Sequence, residues 1–391
     1  MKSRLALTGG YFASFLVFGM GVAALGPALP SLAEHTGSTL SQVSVVFSTS
    51  AAGYLLGSLA AGRLFARLPG NWVLGAVLAC MAGIAALIPI ATSLWLLTLI
   101  FLFFGLAQGI VEVGCNTLLL WLHADHAGPF MNALHFFFGV GALLAPVGIA
   151  LATPGPGAVP GSAEAGLAWF FWPYAVLLLP VAAWLPSLPS PPRSTGQASG
   201  SRARGSTVLV ALVAVFFFLY AGVEHSFGGW IPSYAQALQM ATGSGAAYFA
   251  SAFWASLTVG RLLAVPASAR FKPETIVGAA LGGCLISVAA VLLWPGRVWL
   301  LWLGTLGLGL SLAAIVPTTL ALIGRRIGTT SRSTAWFFVG LGLGKMSIPW
   351  SIGQLFDSAG PHSLFVVIGL VLVAALGLFA ALGAVRTPKV G

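Results

Sequence analysis

Charge is what this sequence lacks. Of 391 residues only 6% are Asp, Glu, Lys or Arg, while 58% are hydrophobic, and the mean hydropathy is +0.99. Soluble globular domains carry about 25% charged residues, so a soluble fold is excluded. Acids are the scarcer sign: seven Asp and Glu stand against 17 Lys and Arg, a formal net charge of +10. Such an excess can mark a nucleic-acid binder, but here the cations sit between apolar stretches and form no patch, so no nucleic-acid partner is expected. Cysteine is sparse as well. Cys80, Cys115 and Cys284 all lie inside apolar stretches, and an odd number of buried thiols offers no disulfide framework. The two-residue alternation of a lipid-facing β-barrel is also missing, since runs such as 96–106 and 365–378 do not alternate.

What the chain does have is apolar sequence in span-length pieces. They fall at about 5–30, 41–66, 72–91, 94–122, 130–152, 166–185, 207–234, 245–267, 275–294, 298–324, 332–356 and 362–385. A helix needs about 20 apolar residues to cross the hydrocarbon core, so the expected fold is an all-α membrane protein with 12 transmembrane helices. Lys2 and Arg4 before an apolar run resemble a signal peptide, but the run is too long for one and reads as an uncleaved first span. Segment 186–206, PSLPSPPRSTGQASGSRARGS, is the least apolar stretch. It reads as a cytoplasmic linker between two six-helix bundles, 1–185 and 207–391.

Orientation follows from the cations. With both termini cytoplasmic, 15 of the 17 Lys and Arg fall inside, Arg261 counted among them. Arg297 alone falls outside, and Lys345 lies within a span. This is the pattern of an inner (plasma) membrane protein of a bacterium. The two halves also match at a constant offset of 203 residues: Gly57 with Gly260, Arg67 with Arg270, Gly139 with Gly342, Gly141 with Gly344 and Pro146 with Pro349. A parallel repeat of this kind suits a transporter whose site lies between its halves near the midplane.

Two acids interrupt apolar helices, Glu112 and Glu224. An ionised group in hydrocarbon is expensive, so such acids face a cavity or a partner. Gln108, Glu112 and Asn116 follow one another at helical-turn spacing and make a polar stripe, which can serve a ligand or only interhelical packing. Asn132 and His135 open the fifth span. The seventh carries Glu224, His225 and then Gly228-Gly229-Trp230-Ile231-Pro232, where two glycines and a proline invite a broken helix. Trp230 offers a flat apolar face to a sugar ring, or an interfacial anchor. Lys345 in mid-span must be paired, deprotonated or cavity-facing, with Glu112 or Glu224 as the expected partner. The glycine clusters Gly53/Gly57, Gly105/Gly109 and Gly340/Gly342/Gly344 look like close helix packing, since no strand or G-K-[ST] ending accompanies them. His123, Asp125 and His126 have the look of metal ligands but fall in a short turn, so neither a metal nor a cofactor is expected.

The layout of two times six spans, the basic central linker and the turns GSLAAGRLFARLPG and GRLLAVPASARFKP resemble the major facilitator superfamily. The first turn lacks the acidic residue usual in that family's loop signature. GIVEVGCNTLLLW, MNALHFFFGVGALLAP and YAGVEHSFGGWIPSYA resemble its fucose and glucose/galactose cation-symporter branch, particularly the sodium-dependent glucose transporter-like members. The resemblance implies a role in sugar binding or coupling for Glu112 and Asn116, and matches the span 7 acid to Glu224. The fucose members also carry a span 1 carboxylate; FLVFGMGVAALGPALP has none.

The expectation is a secondary transporter, not an enzyme, moving a small polar solute such as a sugar by alternating access with Na⁺ or H⁺. Gln108, Glu112, Asn116, Asn132, His135, Trp230 and Lys345 are the candidate substrate contacts, and Glu112 and Glu224 the candidate ion-coupling groups. The rivals are an efflux pump for amphiphilic drugs, suggested by 12% aromatic residues, an intramembrane enzyme, and a receptor-like relative that binds without flux.

Overall fold

The computed structural model describes residues 2–123, 127–152, 162–192, 207–241, 244–327 and 331–384. Linker residues 193–206, Asp125, His126, Arg386 and Lys389 therefore lie outside the described residues. Among those described there is no strand. The long helices are α1 (Lys2–His35), α2 (Leu40–Arg67), α3 (Gly70–Leu87), α4 (Leu94–His123), α5 (Ala127–Ala152) and α6 (Ser162–Trp184). They continue with α7 (Thr207–Ala237), α8 (Ser244–Arg270), α9 (Pro273–Leu293), α10 (Val298–Ile323), α11 (Ser331–Ala359) and α12 (Ser363–Ala384). All but α11 are long and apolar enough, among the described residues, to cross a membrane. The 29 residues of α11 have the length, at about 1.5 Å each, but include Lys345, Gln354 and Asp357.

Of the exposed tryptophans, Trp72, Trp95, Trp184, Trp294, Trp299 and Trp336 lie near helix ends, and Trp169, Trp172 and Trp350 lie farther in. Indole rings favour the level of lipid headgroups, so the first six have the distribution expected of helices that end at two membrane interfaces.

Two expected helix ends move. α1 runs through Pro27 and Pro30 to His35, beyond the expected stop near residue 30. In lipid a helix keeps its remaining hydrogen bonds even where proline removes one, because nothing else can satisfy them. The expected break in α7 is absent for the same reason: the helix is continuous across Gly228-Gly229 and Pro232. Gly228 faces Trp254 and Phe253, where a β-carbon would come within 3.1 Å of the indole, so it serves packing. The break occurs instead in α10, where a turn at Ala313–Ala314 separates Val298–Leu312 from Ile315–Ile327. Pro317 has no N–H for the carbonyl of Ala313 and its ring crowds that position.

Packing divides the chain into two units, Met1–Thr195 with Ile231–Ser251, and Gly196–Trp230 with Ala252–Gly391. In the first, α2 lies on α4 and α1 on α5. Glycines permit backbone contact at both crossings, as their spacing suggested. A β-carbon on Gly53, Gly57, Gly105 or Gly109 would run into the carbonyl oxygen of Leu102, Leu106, Ser50 or Tyr54, and one on Gly141 into that of Leu16. In the second unit Gly344 meets the carbonyl of Phe218, and Gly260 that of Leu310 at 2.7 Å. Gly57/Gly260 and Gly141/Gly344 are repeat pairs, so each pair makes the same kind of crossing in its own unit.

The chain after α6 is anchored before it leaves the described residues. Asn71, fully buried, donates from Nδ2 to the carbonyls of Leu188 (3.1 Å) and Pro189 (3.2 Å). Its backbone N–H donates to Ser190 Oγ, and its Oδ1 accepts from Tyr11 on α1 at 2.8 Å. One side chain thus ties α1, α3 and the end of α6 together.

Candidate functional site

In the first unit the site is built around Glu112 of α4. The glycine crossing brings α2 so close that Tyr54 donates its hydroxyl to Glu112 Oε2 at 2.7 Å. Glu112 is half-buried, with a neutral hydroxyl as its side-chain partner on that oxygen. Asn116, one turn on, is half-buried and donates from Nδ2 to the backbone carbonyl of Glu112 at 2.8 Å. That bond fixes the amide one turn from Glu112. A carboxylate, an amide and a phenol together supply hydrogen-bond acceptors and donors, and a carboxylate oxygen suits a small hard cation.

The polar stripe on α4 is split. Gln108 is buried against Gly21 of α1, beside the Tyr174 hydroxyl and Met81. Its Nε2 has no hydrogen-bond partner among the described residues. It therefore points among α1, α3 and α6, while Glu112 points to α2. His135 is half-buried on α5, edge-on to Phe15 of α1 with centroids 5.6 Å apart. Asn132 is exposed.

In the second unit Glu224 is buried, and Arg261 of α8 reaches it. Arg261 Nη2 lies 3.4 Å from Glu224 Oε1, which also accepts from the Tyr220 hydroxyl at 3.1 Å. His225 Nδ1 is 3.7 Å from the other oxygen. Lys345, half-buried on α11, is near enough to His225 to act on it electrostatically. Arg261 is thus an intrahelical group with a carboxylate partner, and not a loop cation. It lies six residues inside the apolar stretch 245–267, although the count of inside cations took it as one of them. Tyr54 and Tyr220 also escaped notice, because a tyrosine in an apolar helix carries no charge to flag it.

Trp230 is fully buried, its ring tilted over Phe356 at 5.0 Å and its N–H given to the carbonyl of Pro349 at 2.9 Å. The indole fastens α7 to α11. Trp230→Phe should lower thermal stability by about 1 kcal/mol, the worth of one such hydrogen bond, and leave the KM for uptake unchanged. A raised KM at unaltered stability would return the indole to the solute site.

Residues 11–338 match the profile of the Major Facilitator Superfamily. The chain belongs to this superfamily. Sodium-dependent glucose transporter 1A of Mus musculus is 32% identical over 378 residues, covering 88% of each chain. Sodium-dependent glucose transporter 1 of Homo sapiens is 31% identical, covering 88% of this chain and 72% of its own. Among solved structures, the inward-open xylose transporter XylE from E. coli superposes with a TM-score of 0.79 at 14% identity, covering 99% of this chain and 97% of that one. At that identity the likeness shows the fold. The facilitator fold is thus established, and with it an integral membrane transporter and not an enzyme.

Proposed function

We propose that the chain is a cation-coupled sugar transporter working by alternating access, its halves 1–185 and 207–391 joined by 186–206. Its relatives carry the names of sodium-dependent glucose transporters. The observation that carries the reading to this chain is Glu112: a half-buried carboxylate held from one side by the Tyr54 hydroxyl, with Asn116 fixed beside it. Glu112 takes the cation. Asn116 contacts the solute, with His135 and Asn132 contributing from α5. The one acid in the sequence of α1, Glu34, is exposed in its last turn, so the interior of the span offers no carboxylate for a proton, which favours Na⁺. With both termini cytoplasmic the cation-rich loops lie inside a bacterial inner membrane.

The test is uptake of a labelled hexose and pentose panel into proteoliposomes under imposed Na⁺ or proton gradients. Accumulation of a sugar above equilibrium with Na⁺ is the expected result. Drive by a pH gradient alone would keep coupling and reject sodium. Equilibration without accumulation under either gradient would make the protein a uniporter. Export of an amphiphilic dye with no sugar flux would favour the efflux reading.

A further inference from the structure

Glu112 and Glu224, the two glutamates that interrupt apolar stretches, have unlike surroundings. Glu112 meets only a neutral donor through the oxygen bonded to Tyr54. Glu224 meets a guanidinium, a phenol and an imidazole: Arg261 and Tyr220 share Oε1, and His225 lies against Oε2. The Glu224 side chain is 9% exposed and that of Arg261 31%. Arginine does not deprotonate in proteins, so the charge on Arg261 is permanent and needs a counter-ion at this depth. A carboxylate already balanced by arginine has no net charge left for a second cation. Bringing Na⁺ to Glu224 would place two positive charges on one carboxylate in a poorly solvated place, and protonating it would strand Arg261. Tyr220, one turn before Glu224 on the same helix, adds a donor that fixes the acid's rotamer toward α8.

We propose that Glu224 and Arg261 form a permanent ion pair that positions α7 on α8, and that Glu112 is therefore the sole intramembrane carboxylate taking a cation, one for each solute carried. Arg261 is on this account a positioning residue that acts through Glu224. The stoichiometry rests on the reading of Glu112 given above; the pairing does not. It makes the second half an electrostatically settled bundle and confines the ion-dependent event to α2 and α4.

Three variants test both parts: Glu224→Gln, Arg261→Gln and the double variant, purified and reconstituted. Each single variant leaves one buried charge without its partner and should lower uptake by roughly tenfold or more. The double variant removes one negative and one positive charge together, so the net charge beside His225 and Lys345 is unchanged, and it should return uptake to within about threefold of the parent. Thermal unfolding in detergent should follow the same order, with the double variant more stable than either single. Additive losses in unfolding temperature would reject the pair whatever the protein transports. For stoichiometry, the sugar gradient that exactly opposes a tenfold cation gradient at zero membrane potential is measured. One cation per solute requires a tenfold sugar gradient, in the parent and in the double variant alike. A hundredfold balance in the parent that falls to tenfold in the double variant would show that Glu224 binds a second cation and would overturn the proposal. Failure of every gradient to drive accumulation would reject the cation-coupled reading and the stoichiometry with it, leaving the unfolding cycle to decide the pair.

Discussion

Glu112→Gln should reduce gradient-driven sugar accumulation to equilibrium while the protein stays folded. One positive charge moving inward down 100 mV supplies about 2.3 kcal/mol, enough for accumulation on the order of fortyfold. The substitution preserves shape and can still accept the Tyr54 hydroxyl through its amide oxygen, so packing between α2 and α4 is retained. What it deletes is the charge proposed to hold the cation. The accumulation ratio should therefore fall from that order to unity, measured in proteoliposomes at matched protein content. Tyr54→Phe should have a graded effect, weakening sugar or cation affinity by roughly three- to tenfold for one hydrogen bond to a charged group, with coupling kept. Full accumulation by Glu112→Gln would remove α4 from the coupling site.

Gly105→Ala should unfold or severely destabilise the protein, whereas Gly83→Ala should not. Both glycines lie within helices, α4 and α3, and on helix propensity alone each replacement would add about 0.5–1 kcal/mol of stability. A β-carbon at Gly83 meets nothing within 4 Å, so that gain should be seen. At Gly105 it would fall on the carbonyl oxygen and α-carbon of Ser50 in α2, which are backbone and cannot rotate away. The helices would have to part by about an ångström or more along a seam that Gly53, Gly57 and Gly109 also form, forfeiting contact over its length. A loss on the order of 3–5 kcal/mol is expected, read as a drop in unfolding temperature of about 10 °C or as failure to recover monodisperse protein. Equal thermal stability of the two variants would show that the seam opens without penalty. Transport should suffer with it, since the same seam carries Tyr54 to Glu112.

Most of the architecture was legible in the amino-acid order because a bilayer imposes one-dimensional rules. A span must be apolar for its whole length and must satisfy its own backbone, so counting apolar residues finds helices without knowing what packs on them. The glycine pairs at a constant offset were legible too, since close crossing demands a missing side chain wherever it occurs. Glu112, Glu224 and Lys345 stood out because charge within apolar sequence is conspicuous. The same rules misled at α7 and α10. Gly228-Gly229 and Pro232 looked like a break, yet Gly228 answers to the bulk of Trp254 and Phe253, which lie on another helix and leave no local trace. The single Pro317 looked ordinary and ends a helical segment.

The sequence by itself thus determined that the chain is helical, membrane-embedded, repeated and equipped with two deep acids. Only tertiary structure decided what each acid is joined to. Tyr54 is 58 residues from Glu112 and Arg261 is 37 from Glu224, separations across which sequence periodicity carries no information. Whether a buried carboxylate can take an ion depends on the charge of the group beside it, because Coulombic energies at a few ångströms in a weakly screening interior exceed any preference written along one helix. A phenol beside Glu112 leaves its charge available, and a guanidinium beside Glu224 cancels it. That difference lies in the crossing of α2 with α4 and of α7 with α8.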